Sequence, residues 1–310
     1  MSAFADPAVQ AAREGLVAAG LDPDAVLRLV RATLAEDLGV GPDDELGAHL
    51  DLTSAATVPA DAWLDVRYVA RQPGTVAGLA VLAAMVADVL GPEARFVARV
   101  EDGARVAPGD VLAELEAPAR GVLLLERTSL NLLGHLCGVA TATAAWVAAV
   151  EGTGVQVRDT RKTMPLLRAL EKHAVRCGGG RNHRAGLHDA VLVKDNHVAA
   201  AGGVGAALEA VRAVAALRGV PVQVEVDDLD QLDEALAHGA REVLLDNFSA
   251  ADLREAVRRT RSRSPGTVLE ASGGLTLDVA RAVAATGVDL LAVGGLTHSA
   301  PSLDIGLDAR

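Results

Sequence analysis

Aromatic residues are almost missing from this 310-residue chain, which has three Phe, two Trp and one Tyr. So few rings leave little on which exposed bases could stack. A net charge of −12 adds a surface that repels nucleic acid and anionic membranes. Partners of both kinds are therefore excluded as readings. Cysteine is scarce as well: Cys137 and Cys177 stand alone and make neither a metal nor a redox spacing, so reduced thiols of a cytoplasmic protein are expected. Residues 1–20 carry Asp6, Arg13 and Glu14 and have no apolar core like that of a signal peptide. Thr128 to Val150 lacks Asp, Glu, Lys and Arg altogether, yet it includes Asn131, His135, three Thr and two Gly. Those groups are costly in hydrocarbon, which predicts a buried core helix rather than a membrane span.

Lysine is the most telling scarcity. Of 29 Lys and Arg residues, only Lys162, Lys172 and Lys194 are lysine. A surface charged through Arg has little general use for Lys, so a retained lysine points to work for its compact, rotatable ammonium. Lys162 and Lys194 are the functional candidates.

Half of the residues are hydrophobic and 23% are charged, the balance of a globular protein. An early helix begins with Asp22 as N-cap and Pro23 in the first turn, and stops at Gly39. Trp63–Ala70 and Arg95–Val100 read as strands, with a small-residue helix over Leu79–Leu90 between them. The stretch from Glu101 to Leu115 resembles the hammerhead of lipoyl and biotinyl carriers. No lysine precedes residue 162 to be modified, so a structural β-rich domain is predicted there.

From Val155 onward short apolar runs alternate with helices. Strands are predicted at 155–159, 190–194, 222–226, 242–246, 267–271 and 290–293, and helices at 204–217, 229–238, 250–260 and 277–285. This cadence means parallel β/α units. Asp159, Lys194, Glu225, Asp246 and Glu270 each fall at or just inside the C-terminal end of such a run. In a barrel those ends converge on one mouth, where barrel enzymes carry out their chemistry. Arg161, Lys162, His183, Arg184 and Lys194 concentrate cations in a chain of net charge −12, which suggests a polyanionic ligand. Ser272-Gly273-Gly274 and Gly294-Gly295 follow the last two strands, the usual place for a phosphate cradle.

The strings Glu126-Arg-Thr-Ser-Leu-Asn131, Asp159-Thr-Arg-Lys-Thr163, Gly179-Gly-Arg-Asn-His-Arg184, Lys194-Asp-Asn-His197, Leu245-Asp246-Asn247 and Glu270-Ala-Ser-Gly-Gly274 resemble the quinolinate phosphoribosyltransferase family. Glu36-Asp-Leu-Gly39 and Asp51-Leu-Thr53 match its N-terminal signature, so the resemblance runs in order along nearly the whole chain. It implies an α/β fold of two domains: an N-terminal open α/β sandwich over 1–128, joined by the tail 297–310, and an incomplete α/β barrel over 129–296 with seven strands or fewer. It implies transfer of phosphoribosyl from phosphoribosyl pyrophosphate to quinolinate with Mg²⁺. The products are nicotinate mononucleotide, pyrophosphate and CO₂, on the route to NAD. By matched motif, Thr160, Arg161, Lys162, His183, Arg184 and Lys194 would hold carboxylates and phosphates. Glu225 and Asp246 would serve the ribose and its Mg²⁺. Ser272, Gly273, Gly274, Gly294 and Gly295 would cradle the 5′-phosphate. Arg127 would reach into the neighbouring subunit's site, making a homodimer the minimal active unit.

The chain departs from the family at Met164, at Leu166 where Gly is usual, at His173 where Tyr is common, and at Arg181. Two other readings share the residues: a phosphoribosyltransferase for a pyridine monocarboxylate, and a barrel lyase or aldolase with Lys194 as Schiff base.

Overall fold

The computed structural model describes residues 7–41, 44, 46, 51–214 and 217–310. Helix α1 (Pro7–Ala18) leads to α2 (Pro23–Leu38), whose limits follow from the sequence. The Asp22 carboxylate accepts the N–H groups of Asp24 at 2.9 Å and Ala25 at 3.3 Å, and Gly39 ends the helix in the left-handed conformation at φ +66°. Asp51 caps α3 (Leu52–Thr57) in the same way. Next come β1 (Trp63–Ala70), β2 (Gly74–Thr75), α4 (Leu79–Leu90), β3 (Arg95–Ala98), β4 (Arg105–Val106), β5 (Val111–Pro118) and α5 (Ala119–Ala149). The alternating half then runs β6 (Gln156–Arg158), α6 (Arg168–Cys177), β7 (Val191–Val193), α7 (Asp195–Ala201), α8 (Val204–Ala213), β8 (Val222–Val226), α9 (Leu229–Ala237) and β9 (Glu242–Asp246). It closes with α10 (Ala250–Arg263), β10 (Val268–Ser272), α11 (Ala280–Ala284), β11 (Leu290–Ala292), α12 (Gly295–His298) and β12 (Ile305–Ala309). The helix predicted over 204–217 ends at Ala213, and positions 215–216 lie outside the described residues.

The chain forms two compact units. The first comprises residues up to Ala142, Met164–Gly179 and Ala300–Arg310. Its sheet is antiparallel in the order β12-β1-β5-β3, with Val66–Ala70 paired to Ile305–Ala309. The hammerhead-like stretch is framework: β4 pairs with β2, and β5 is an inner strand of the sheet. The tail also packs on α5. A Cβ on Gly138 would lie 2.2 Å from the Pro301 carbonyl oxygen, and Leu303 N–H donates to the Gly134 carbonyl at 2.9 Å. Thus the glycines in the uncharged helix let a backbone lie directly against it. Tyr68 of β1 is wholly buried; its hydroxyl sits 3.0 Å from Ser129 Oγ on α5, and burial pushes its pKa up to about 12.

The limits of this unit differ from the expected 128/129 boundary. Segment 164–179 belongs here because α6 turns its buried polar residues into it. Glu171 accepts from His135 at 2.8 Å and from Met164 N–H at 3.2 Å, and His173 bonds Asp102 at 2.8 Å. Helix α5 begins at Ala119, so Arg127 lies in its third turn. The helix predicted over the charge-free run Thr128–Val150 therefore starts nine residues earlier, and Arg127 lies inside it rather than just before it. Helix α5 is also long and apolar enough by composition to cross a membrane, but 56% of its most apolar window is buried within the protein. Leu166 adopts φ +66° with its side chain 87% exposed, so the residue standing where the family has Gly occupies a left-handed position.

The second unit comprises Thr143–Thr163 and Gly180–Ser299. Its six strands are all parallel, in the order β6-β11-β10-β9-β8-β7. Consecutive strands pair from β7 to β11, and β11 then pairs with β6, the first. Pairing of first with last is the join that makes a barrel from β/α units. The seam left between β6 and β7 is partly covered by Arg181, whose N–H donates to Val157 O at 2.8 Å and whose carbonyl accepts from Asp159 N–H at 3.0 Å.

Replacing Gly138 by Ala is expected to destabilise the protein by about 1–3 kcal/mol, because the three atoms nearest the added methyl are backbone atoms of Pro301 and Ser302. Gly15→Ala on α1, where a Cβ meets nothing within 4 Å, is expected to stabilise by about 0.5–1 kcal/mol. Urea unfolding of the two variants checks the opposite signs.

Candidate active site

A cavity of about 360 Å³ opens in the second unit. It is lined by Thr160, Arg161, Lys162, His183, Arg184, Leu192, Lys194, Glu225, Leu244, Asp246, Ser272 and Ala292. Parallel strands bring these residues together by their C-terminal ends: Lys194 follows β7, Glu225 is the fourth residue of β8, and Asp246 and Ser272 end β9 and β10 in register. The five sequence-derived cationic residues and two of the carboxylates, Glu225 and Asp246, therefore meet in one place, with the apolar side chains of Leu192, Leu244 and Ala292, which sequence reasoning did not single out.

Two guanidinium groups dominate the electrostatics. Arg161 Nε and Arg184 Nε are both buried without a hydrogen-bond partner. Burial lowers the pKa of Arg184, and the neighbouring positive charge of Arg161 lowers it further. Its remaining bond is a long one, 3.3 Å from Nη1 to the Ala190 carbonyl. Two partly desolvated cations near each other, each with a buried and unpartnered Nε, are costly unless an anion is to join them. Lys194 Nζ donates to Glu225 Oε2 at 3.1 Å with its side chain half exposed, whereas Glu225 is buried. Lys162 is exposed, and its backbone is fixed at both ends: its N–H donates to Thr160 Oγ1 at 3.0 Å and its carbonyl accepts from Thr297 Oγ1 at 2.7 Å.

Two of the five strand-end charges do not line the cavity. Asp159 is fully buried and accepts from Asn182 Nδ2 and His183 N–H, each at 2.7 Å. It holds the loop that carries His183 and Arg184. Glu270 is two residues short of the end of β10 and is also fully buried, where it accepts from Arg158 Nη1 at 3.1 Å and from Gln223. Desolvation raises its pKa.

Gln223 and Arg158 are the residues that sequence reasoning missed. Gln223 Oε1 lies 2.8 Å from His183 Nε2, and Arg184 N–H donates to His183 Nδ1 at 2.7 Å. With Nδ1 accepting, the ring carries its proton on Nε2 and donates it to Gln223. The available signal was a polar Gln two residues before Glu225 on an otherwise apolar strand, hence on the same face.

The glycines adjoin the cavity in sequence without lining it. Gly273 has φ +95°, and a Cβ there would lie 2.2 Å from Asn247 Oδ1. Gly274 has φ +57° and open space around it, and Gly294 and Gly295 start α12. Arg127 belongs to the first unit, is exposed, and makes no ion pair with a described residue.

Sequence profiles for the C-terminal and N-terminal domains of quinolinate phosphoribosyl transferase match residues 139–308 and 51–137. The chain belongs to the quinolinate phosphoribosyltransferase family. Relatives bear the name of a nicotinate-nucleotide pyrophosphorylase (carboxylating). One from Mycobacterium leprae is 51% identical over 92% of this chain and 97% of its own length. One from Bacillus subtilis, named as probable, is 38% identical over 91% and 92%. The solved structure of the Francisella tularensis nicotinate-nucleotide pyrophosphorylase superposes with a TM-score of 0.83 at 34% identity, covering 94% of this chain and 98% of that one. The family's two-domain α/β fold is therefore the fold of this chain.

Replacing Gln223 by Leu leaves the His183 Nε2–H without its acceptor, at an expected cost of about 1–3 kcal/mol. The measurement is the ¹⁵N spectrum of the histidine ring. The Nε2–H form should dominate in the parent chain and give way to a mixture in the variant.

Proposed function

We propose that this chain transfers phosphoribosyl from phosphoribosyl pyrophosphate to quinolinate with loss of CO₂, forming nicotinate mononucleotide and pyrophosphate in the cytoplasm. The observation that carries the reading is the pair Arg161 and Arg184, whose buried Nε groups lack partners inside a cavity that also presents Lys162 and Lys194. Two carboxylates on one pyridine ring match two guanidinium forks, each able to grip a carboxylate bidentately. The flat apolar surface of Leu192, Leu244 and Ala292 suits the ring itself. A single carboxylate, as in nicotinate, would leave one guanidinium desolvated and unpaired. The Schiff-base alternative needs a neutral lysine amine, and Lys194 instead donates to the Glu225 carboxylate.

Anchored at its carboxylates, quinolinate presents its ring nitrogen to C1 of the ribose; such positioning is worth roughly 7–11 kcal/mol of a bimolecular barrier. Departure of pyrophosphate leaves oxocarbenium-like charge at C1, which Glu225 and Asp246 are arranged to stabilise. Glu225 Oε2 is engaged by Lys194 and Asp246 Oδ2 by Asn247 at 2.7 Å, while the second oxygen of each carboxylate has no hydrogen bond to a described residue. Two available carboxylate oxygens fit a hard divalent cation, so Glu225 and Asp246 would hold Mg²⁺. When bound, Mg²⁺ supplies neutralisation of the leaving pyrophosphate. Ser272 and the glycines Gly273, Gly274, Gly294 and Gly295 would take the 5′-phosphate. No covalent enzyme intermediate is needed.

The deciding assay is pyrophosphate release with quinolinate against nicotinate. Turnover on quinolinate alone is expected, and equal turnover on both would sink the dicarboxylate reading. Arg184→Ala should lower kcat/KM for quinolinate about 10- to 100-fold, the loss of one charge-assisted pair.

The exposed, unpaired Arg127 would complete the site of a second copy in a homodimer. Arg127→Ala and Lys194→Ala homodimers should each be nearly inactive. After subunit exchange, about half the dimers are mixed and each has one intact site, so roughly a quarter of the parent activity should return. If exchange is demonstrated and no activity returns, Arg127 acts within its own subunit or only in packing.

A further inference from the structure

Away from the cavity, the first unit gathers three metal-ligating side chains that the reaction does not use. Asp102, His173 and Cys177 bring one ligand atom each to within 4.8 Å of one another. Among the described residues no other trio of His, Cys, Asp or Glu does so. His173 and Cys177 are four residues apart on α6 and so share one face of the helix, while Asp102 comes from the turn between β3 and β4.

The distances are close to those of coordination. His173 Nε2 lies 2.8 Å from Asp102 Oδ2 and 3.4 Å from Cys177 Sγ. Tetrahedral zinc, with bonds of about 2.0–2.3 Å to N, O and S, sets its ligand atoms roughly 3.3–3.6 Å apart. The N···S separation is already in that range, and N···O needs to open by about half an ångström.

The supporting bonds are in place as well. His173 Nδ1 lies 3.2 Å from the Ala19 carbonyl, which leaves Nε2 as the ligating nitrogen. Asp102 Oδ1 accepts the Leu79 N–H at 3.0 Å, so its other oxygen is the one turned to the cluster. A histidine whose second nitrogen donates to a backbone carbonyl, together with a carboxylate held by an amide, is the usual outer setting of a metal ligand set. The His173 ring is almost wholly enclosed, while Asp102 and Cys177 remain partly open to solvent and give an entry path.

We infer that Asp102, His173 and Cys177 form a binding site for a zinc-class divalent transition metal, with one coordination position left to solvent. Binding releases the Cys177 Sγ proton and the His173 Nε2 proton to solvent. The thiolate and carboxylate then supply two negative charges against the two positive charges of the ion. The thiolate selects against Mg²⁺, which prefers oxygen ligands, so this site and the catalytic carboxylates call for different ions. The ion ties the β3–β4 turn to α6.

The test is a Co²⁺ titration of the full-length chain under excess Mg²⁺, followed by absorption. One equivalent should produce a thiolate-to-cobalt charge-transfer band and the d–d bands of a tetrahedral site, and Zn²⁺ should displace it. Cys177→Ser should abolish the charge-transfer band, and His173→Gln should weaken binding by more than the roughly 10- to 100-fold that loss of an outer-shell partner costs. Zn²⁺ should raise the unfolding midpoint of the parent chain and leave that of Cys177→Ser unmoved. A parent chain with no charge-transfer band overturns the inference, because both variants are then irrelevant and the trio is only a hydrogen-bonded cluster. A band that persists in a folded Cys177→Ser chain overturns it by placing the metal elsewhere. Labelling of Cys177 by a sulfenic-acid probe without any metal uptake overturns it in favour of an oxidisable thiol.

Discussion

Two like charges held near each other, neither in a direct ion pair with a described residue, are the constraint around which the second unit is organised. Arg161 and Arg184 repel each other and are partly stripped of water, so the fold must hold them there against both penalties. Nearby acids could have neutralised them, but most are engaged otherwise. Asp159 binds Asn182 and the His183 backbone, and Asp189 accepts the N–H groups of Ala185 at 2.6 Å and Gly186 at 2.9 Å. Glu270 is taken by Arg158 and Gln223. Each of these carboxylates spends its charge on fixing the loop or the floor, which leaves the guanidinium pair to the ligand.

The chain order of the strands explains why the cations converge. Asp159, Thr160, Arg161 and Lys162 follow β6, and the His183–Arg184 loop lies beside the same strand through the Arg181 bridge. The first and last strands pair, so β6 also neighbours β11. Lys162 thereby comes close to Gly294, where a Cβ would stand 3.0 Å from the lysine Cδ. Residues 132 positions apart are brought together by one parallel pairing. The seam between β6 and β7 is where the cationic loop leaves the sheet. Irregular backbone carrying polar groups belongs at such an edge, since a fully paired barrel strand could not release it.

Much of this was legible in the sequence, and the misses share physical causes. Strands β1, β8 and β9 coincide with their apolar runs, and α2 with its caps, because those signals are local. Of the five strand-end charges, Lys194, Glu225 and Asp246 line one cavity, since parallel β/α units bring their strand ends together, whereas Asp159 and Glu270 are buried beside it. Depth was the harder quantity. Glu270 and Asp246 occupy equivalent places in the repeat, yet Glu270 is two residues further from its strand end and is buried. A 24-residue spacing gives no sense of that offset. Arg158 and Gln223 escaped notice because each lies on a short strand and its partner, Glu270, comes from another strand, so its purpose appears only when that strand is present. The start of α5 was misjudged by nine residues because Pro118 is followed by mixed apolar and basic residues, so the charge-free run marked the burial of the helix rather than its beginning.

The charge distribution separates recognition over distance from recognition on contact. The molecule carries −12 overall, and phosphoribosyl pyrophosphate and quinolinate are both anions, so the far field opposes their approach. At physiological ionic strength that field decays over about 8 Å. Beyond this range the surface is nearly silent; within it a ligand entering the cavity would meet Arg161, Lys162, Arg184 and Lys194 together. The guanidinium forks act only at hydrogen-bond range and in fixed directions, so binding depends on fit more than on attraction. A net negative charge around a cationic cavity would thus disfavour casual polyanions, and the proposed pair would favour a ligand that can satisfy both forks at once.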